Sequence, residues 1–172
     1  IRDKETAEIA VQAALTGHLV YTTVHANNVF DVLSRFHHMG MDSYSFVTAL
    51  NGVVAQRLVR LICTHCIEQA HPDRELLAQS GLAGKDLSAW TFKHGRGCIQ
   101  CRGTGYKGRR ALAEVLMLDD QMRELILNQT PVSQLKEKAR EKGMKFMREQ
   151  ALNAVKDGKT TLEEINRVTF VE

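Results

Sequence analysis

The sequence contains little proline, no long apolar run and no initiating methionine. Proline accounts for 2 of the 172 residues, and no extended polar tract is present, which excludes broad disorder. No run approaches the roughly 18 apolar residues that a membrane-spanning helix requires. The first residues, I-R-D-K-E-T, have neither the basic start nor the apolar stretch of a secretion signal. The composition is therefore typical of a soluble globular protein, and we interpret the chain as a piece of a longer one.

The net charge is small but unevenly distributed. Lysine and arginine number 23 against 20 aspartate and glutamate residues, an excess that does not by itself indicate nucleic-acid binding. Between Asp86 and Glu114, however, there is no acidic residue. The basic residues of this stretch are Lys93, Arg96, Arg102, Lys107, Arg109 and Arg110. Two of the four cysteines lie in the same stretch, so the positive charge surrounds part of a candidate metal site.

The cysteines form two C-x-x-C pairs, C-T-H-C and C-I-Q-C, with residues 67–97 between them. Each pair places two sulfurs on one tight turn, and two pairs supply the four ligands of a tetrahedral zinc site. A site filled by four thiolates has no open coordination position, so we expect a structural rather than a catalytic role. The predicted ligands are Cys63, Cys66, Cys98 and Cys101.

Other interpretations of the cysteines remain open. They could be buried free thiols or a disulfide pair, although the lack of a secretion signal favours a reducing compartment, where disulfides are rare. A nearby histidine could also replace one cysteine as a ligand. The candidates are His65, His71 and His94.

The beginning of the sequence predicts a helix, a strand and a second helix. A helix capped by Asp3 is expected to end near Gly17. The segment Leu19–Val24 is rich in β-branched and aromatic residues, as is typical of a strand buried on both faces of a parallel sheet. The polar corner 25–28 then leads into a helix capped by Asn27 or Asn28. The apolar faces assigned to the two helices are Ile9, Ala10, Ala13 and Ala14, and Val29, Leu33 and Phe36. Strand, corner and helix form a βα unit, and ligands bind at the carboxyl ends of such strands.

The rest of the sequence predicts an α/β fold that ends in helices. Residues 56–62 are expected to form a strand or a helix end, and 111–118 a strand. Further helices are predicted from Asp42 or Ser43 through Phe46, Ala49, Leu50 and Val53, over 74–79, from Asp119 or Asp120, from Pro131 to Gly143, from Met147 to Gly158, and from Thr160 or Thr161.

Four sequence segments together resemble one protein family. They are I-R-D-x-E-T at the start, L-T-G-H-L-V-Y-T-T-V-H-A-N-N, G-V-V-A-Q-R-L-V-R, and the paired C-x-x-C motifs continued as G-T-G-Y-x-G-R-R. In this order they resemble the secretion ATPases of type II secretion and type IV pilus assembly, the PulE/GspE/PilB group. The resemblance covers nearly the whole chain and is weakest across 67–97.

The resemblance implies a division of the chain into three parts. Residues 1–62 would be the C-terminal part of a RecA-like ATPase core, and 63–101 an inserted tetracysteine zinc subdomain. Residues 102–172 would contain a strand segment and a C-terminal helical bundle. The family works as a ring of six subunits at the cytoplasmic face of the inner membrane, where it meets inner-membrane platform proteins. Its ATP hydrolysis, with Mg²⁺, drives pseudopilus or pilus assembly.

The resemblance also assigns site residues. His25 falls on the histidine-box position and is expected to sense the γ-phosphate, with Arg2 and Thr23 near the nucleotide phosphates. Family members read T-L-H-T-N where this chain reads T-V-H-A-N, so Ala26 replaces a hydroxyl-bearing residue. The Walker B glutamate would directly precede Ile1, and no G-x-x-x-x-G-K-[ST] loop occurs in the sequence. We therefore expect the chain to be the C-terminal half of a hexameric ATPase and inactive alone.

Two other functions are weighed against this one. A zinc-ribbon nucleic-acid-binding module would use the acid-free basic stretch, with Trp90 and Tyr106 stacking on bases. A chaperone-like module would use the C-x-x-C-x-G-x-G form, which in that class needs several copies and occurs here once.

The tetracysteine motif favours the assembly or secretion branch of the family that the chain resembles, because the similar retraction ATPases lack it.

Overall fold

A computed structural model describes residues 1–170, which form two compact units. Unit 1 comprises Ile1–Ala55 with Glu114–Lys145, and unit 2 comprises Gln56–Ala113 with Phe146–Glu172. In chain order the elements are α1 (Lys4–Leu15), α2 (Val29–His38), α3 (Ser43–Ala49), β1 (Gly52–Ile62), β2 (Ile67–Gln69), α4 (Arg74–Gln79), β3 (Lys93–Gly95), a 3₁₀ turn (Ile99–Cys101), β4 (Tyr106–Met117), α5 (Asp120–Leu127), α6 (Val132–Glu141), α7 (Met147–Lys156) and α8 (Leu162–Val168).

Most helices begin where the sequence predicts a cap. The carboxylate of Asp3 accepts a hydrogen bond from the Thr6 N–H at 2.9 Å, as an N-cap does at the open end of a helix. The other predicted caps that are confirmed by a side-chain hydrogen bond are Asn28, Asp42, Asp119 and Thr161. Each of these caps accepts from N–H groups two or three residues along the chain, which is why the sequence predicts them.

The predicted strand at Leu19–Val24, and the parallel sheet it implied, are wrong for this structure. The segment has no strand structure, and the side chains of Leu19 and Tyr21 are 74% and 87% exposed. A strand requires a neighbour, and among residues 1–170 both sheets contain only two strands, β1 with β4 and β2 with β3. The Ile1 ammonium donates a hydrogen bond to the segment at the Thr23 carbonyl oxygen, at 2.5 Å. Without a partner strand, β-branched composition alone does not produce a strand here.

Strands β2 and β3 pair in the antiparallel direction. In β2 and β3, Ile67 lies opposite Gly95 and Gln69 opposite Lys93. Strand β4 begins at Tyr106, earlier than the predicted 111, and β1 includes the predicted 56–62. Because β1 begins at Gly52, α3 ends at Ala49 and does not reach the Val53 of its predicted face.

The core of unit 1 fixes α1, α2 and α3 against each other. The rings of Phe36 and Phe46 stack with their centroids 4.2 Å apart. On α1 the buried residues are Ala7 and Val11, whereas the predicted core residue Ile9 is 66% exposed. The buried cluster is Ala7, Val11, Val32, Phe36, Met41, Phe46 and Val47. This packing holds the start of α2, and therefore the adjoining corner 25–28, in place.

No helix within the described part of the chain combines the length and the apolar character needed to cross a membrane.

Candidate functional site

The four cysteine sulfurs lie together in unit 2, within 4.8 Å of one another. The sulfur–sulfur distances are 3.9 Å for Cys63–Cys98, 3.8 Å for Cys66–Cys101 and 3.7 Å for Cys98–Cys101. A tetrahedral zinc site with Zn–S bonds of about 2.3 Å has sulfur–sulfur edges of about 3.8 Å, so the spacing fits zinc. All four are free thiols, which excludes the disulfide interpretation for this structure.

Two tight turns and one close backbone approach build this cluster. In each pair the N–H of the second cysteine donates to the carbonyl of the first, at 3.2 Å for Cys66 to Cys63 and for Cys101 to Cys98. A Cβ on Gly95 would lie 2.0 Å from the carbonyl oxygen of Gly105, so only glycine permits the β2–β3 pair to approach the backbone that follows the second turn. The sequence shows the two pairs, but this contact is visible only in the structure.

Hydrogen bonds and burial act in opposite directions on the cysteine thiols. Backbone N–H groups of Cys98 and Gly105 donate to the Cys101 sulfur at 3.2 and 3.3 Å, and they lower the pKa of Cys101 to about 6. Burial raises the pKa of Cys66 to about 12. One position of the cluster therefore favours a thiolate, which is the form that binds metal.

No histidine joins the cluster. Among residues 1–170 the four cysteines are the one group of His, Cys, Asp or Glu side chains close enough to hold a metal ion together. The replacement of a cysteine ligand by one of the candidates His65, His71 and His94 is therefore not favoured.

A second candidate site is a cleft of about 420 Å³ in unit 1, beside the corner 25–28. His25 and Arg2, which are predicted to contact phosphate, both line it, whereas Thr23 is not among its lining residues. The full lining is Arg2, His25, Ala26, Asn27, Asp31, Ser34, Arg35, His38 and Met39. Two guanidinium groups and two imidazoles face one carboxylate, a balance that suits an anionic ligand such as a phosphate group.

Helix α2 supplies four cleft residues that are not among the predicted site residues. Asp31, Ser34, Arg35 and His38 are spaced at i, i+3, i+4 and i+7, so they lie on one face of the helix. That face is polar and opposite the face assigned to the core, which is the signal that identifies it in the sequence.

The start of α2 also receives a contact from far along the chain. The buried carboxylate of Glu114 on β4 accepts a hydrogen bond from the Val29 N–H at 3.0 Å. The sequence alone assigns no role to Glu114. The available signal was a single acidic residue within the apolar run 111–118.

Comparison with known proteins shows which family the chain is similar to. A family model described as type II/IV secretion system protein matches residues 1–167. The chain is 46% identical over 165 residues to the type IV pilus assembly ATPase PilB of Thermus thermophilus, covering 96% of this chain and 19% of that protein. It is 42% identical over 173 residues to the type II secretion system protein E of Pseudomonas aeruginosa, covering 100% of this chain and 34% of that protein. The chain thus spans between a fifth and about a third of the length of these relatives.

Proposed function

The chain belongs to the type II/IV secretion system protein family, as a GspE/PilB-type member, and on that premise we propose that it is the C-terminal part of a cytoplasmic ATPase that powers pilus or pseudopilus assembly. Relatives named for type IV pilus assembly and for type II secretion match it at 46% and 42% identity. The proposal therefore includes both machines. The nucleic-acid-binding alternative is not favoured, because none of these relatives is named for it.

The observation that carries the proposal is the cleft that His25 and Arg2 share in unit 1. The substrate would be ATP with Mg²⁺. The His25 imidazole would donate an N–H to the terminal phosphate, and the Arg2 guanidinium would balance charge on the phosphate oxygens. Both contacts strengthen as negative charge develops during phosphoryl transfer. The contact proposed for Thr23 stays a prediction, since Thr23 does not line the cleft.

The remaining catalytic parts would come from outside this chain. The sequence contains no G-x-x-x-x-G-K-[ST] loop, whose backbone N–H groups and lysine hold the β- and γ-phosphates in this class of ATPase. We therefore propose that residues 1–62 complete a RecA-like core whose phosphate loop lies elsewhere in the full-length protein.

This proposal is tested by comparing ATP turnover of the purified 172-residue chain with that of the full-length protein. We expect turnover by the full-length protein and none above a buffer blank for the isolated chain. The matched control is the full-length protein with the lysine of its phosphate loop changed to alanine, which should also be inactive. Measurable turnover by the isolated, pure chain would contradict the proposal.

The tetracysteine cluster fits a resident zinc ion. Cys63, Cys66, Cys98 and Cys101 would hold Zn²⁺, because their donor set and their spacing of 3.7 to 3.9 Å match a closed four-sulfur site. Such an ion would cross-link the two cysteine turns and would take no part in a reaction step. The subdomain 63–101 is thus proposed as a structural module of the ATPase.

The assembly proposed for the full-length protein is a ring of six subunits. The nucleotide site of a ring ATPase is completed between copies or domains, which supports the proposal, because the cleft carries side chains proposed to bind phosphate and the sequence has no phosphate loop. We propose that the ring lies at the cytoplasmic face of the inner membrane and associates with it through platform proteins. No nucleic acid is part of this proposal.

A further inference from the structure

A buried carboxylate that the proposed chemistry does not use contacts the start of α2. Glu114 is 4% exposed, and its neighbours on the same face of β4, Leu112 and Leu116, are buried apolar residues. A carboxylate in such surroundings is costly unless it is hydrogen-bonded. Its Oε1 atom accepts the Val29 N–H at 3.0 Å, across 85 residues of sequence.

The group that Glu114 binds is the first N–H of α2. The first N–H groups of a helix have no acceptor within the helix. The Asn28 side chain accepts from Phe30 and Asp31, both at 2.9 Å, and leaves the Val29 N–H to Glu114. A negative charge here is favourable, because the helix dipole is positive at this end. Asn28 is a local cap, whereas Glu114 ties the helix to a distant strand.

The cleft depends on the place where α2 begins. His25 and Asn27 precede the helix within four residues, and Arg35 and His38 follow on its polar face. A shift at Val29 would therefore move both groups of cleft residues relative to Arg2. We propose that Glu114 is a positioning residue that anchors the start of α2 and so holds His25 at its position in the cleft. This inference rests on the proposed function of the cleft.

The test uses the full-length protein with Glu114→Gln and Glu114→Leu. Glutamine keeps an acceptor oxygen at the same place, so its kcat for ATP should stay within about threefold of wild type. Leucine has a similar volume but no acceptor, and its kcat should fall about tenfold or more, with a smaller change in KM. The matched control is Glu137→Gln on the exposed side of α6, which should change neither value.

Two further measurements separate positioning from general destabilisation. In a His25→Ala background, Glu114→Leu should lower kcat by less than about twofold, because both changes act through the same side chain. Hydrogen exchange at the Val29 amide should be slow in wild type and Glu114→Gln, and faster in Glu114→Leu. Independent, multiplying losses of kcat, or equal losses for glutamine and leucine, would overturn the inference.

The exchange measurement also keeps this inference distinct from the proposed function. If wild-type protein does not turn over ATP, or if His25→Ala leaves kcat unchanged, the proposed function fails. The anchoring of α2 is then decided by exchange at Val29 alone. Equal exchange rates in all three proteins would overturn it.

Discussion

Glu164 is a buried carboxylate held between two arginines in unit 2. Its oxygens accept hydrogen bonds from the Arg60 guanidinium at 2.7 and 2.9 Å and from that of Arg167 at 2.7 and 3.1 Å. The Arg60 guanidinium also lies 4.1 Å from the centre of the Tyr106 ring. Burial alone would raise the pKa of Glu164, but the hydrogen bonds from Arg167 and Arg60 outweigh it and lower the pKa to about 2.

The low pKa of Glu164 makes stability depend on pH in a defined window. Because the folded pKa of about 2 is below the reference value of 4.5, the stabilisation is complete above pH 4.5 and is lost as the pH falls toward 2. In urea unfolding between pH 3 and 7, Glu164→Gln should flatten this acid slope. At pH 7 it should lower the free energy of unfolding by about 2 kcal/mol, less than for a fully buried pair because both arginines are half-exposed. The exposed control Glu137→Gln should keep the wild-type slope, and identical slopes for both variants would refute this assignment.

The cysteine cluster makes a prediction about metal content. The chain purified without chelators should contain about one zinc ion, because four thiolates fill one tetrahedral site. Cys98→Ser removes one ligand and should lower zinc occupancy under competition with a chelator, measured by elemental analysis. His65→Ala is the matched control, since His65 lies inside the first pair but outside the cluster, and it should retain zinc. Metal-free wild-type protein would show that the cluster is not a zinc site.

At the scale of elements, the contact of the β2–β3 pair with the backbone that follows the second cysteine turn is the most constrained feature. A methyl group at position 95 would lie 2.0 Å from the Gly105 carbonyl oxygen, and neither backbone can move without displacing Cys101 or β3. Gly95→Ala should therefore separate the β2–β3 pair from the cysteine cluster.

We expect Gly95→Ala to lower the free energy of unfolding by more than about 2 kcal/mol and to weaken zinc binding, as measured by thermal unfolding and chelator competition. Gly84→Ala is the control, because nothing lies within 4 Å of its added Cβ. Its backbone has φ +71°, so it should cost only about 1 kcal/mol and leave zinc binding unchanged. Equal effects of the two variants would disprove the steric argument.

Local chemistry was predictable from the sequence, and pairing between distant segments was not. Asn28 and Asp119 were identified as candidate caps because a cap and the N–H groups it accepts from are neighbours in sequence. The paired cysteines were identified by their own spacing. The strand at Leu19–Val24 was predicted wrongly because its propensity is local while its pairing depends on other segments. The bond from Val29 to Glu114 spans 85 residues, and no local pattern reveals it.

At the scale of the whole molecule, the chain carries one part of a proposed nucleotide site and one proposed metal site. The residues proposed to contact phosphate belong to unit 1, and the cysteine cluster belongs to unit 2. The modest net charge of +3 does not reveal this arrangement, because it averages over the chain, whereas the acid-free basic stretch surrounds the second cysteine pair. The charge therefore reflects local sites rather than a general affinity for nucleic acid.

The central claim, that this chain supplies a phosphate-sensing histidine to an ATPase, is tested most directly by ATP turnover of the full-length protein with and without His25. His25→Ala should lower kcat about a hundredfold while the KM for ATP changes less than about threefold, because the contact strengthens in the transition state. His18→Ala is the matched control, since His18 is exposed and contacts the Ala13 carbonyl outside the cleft, and it should retain wild-type turnover. An unchanged kcat in His25→Ala would contradict the claim.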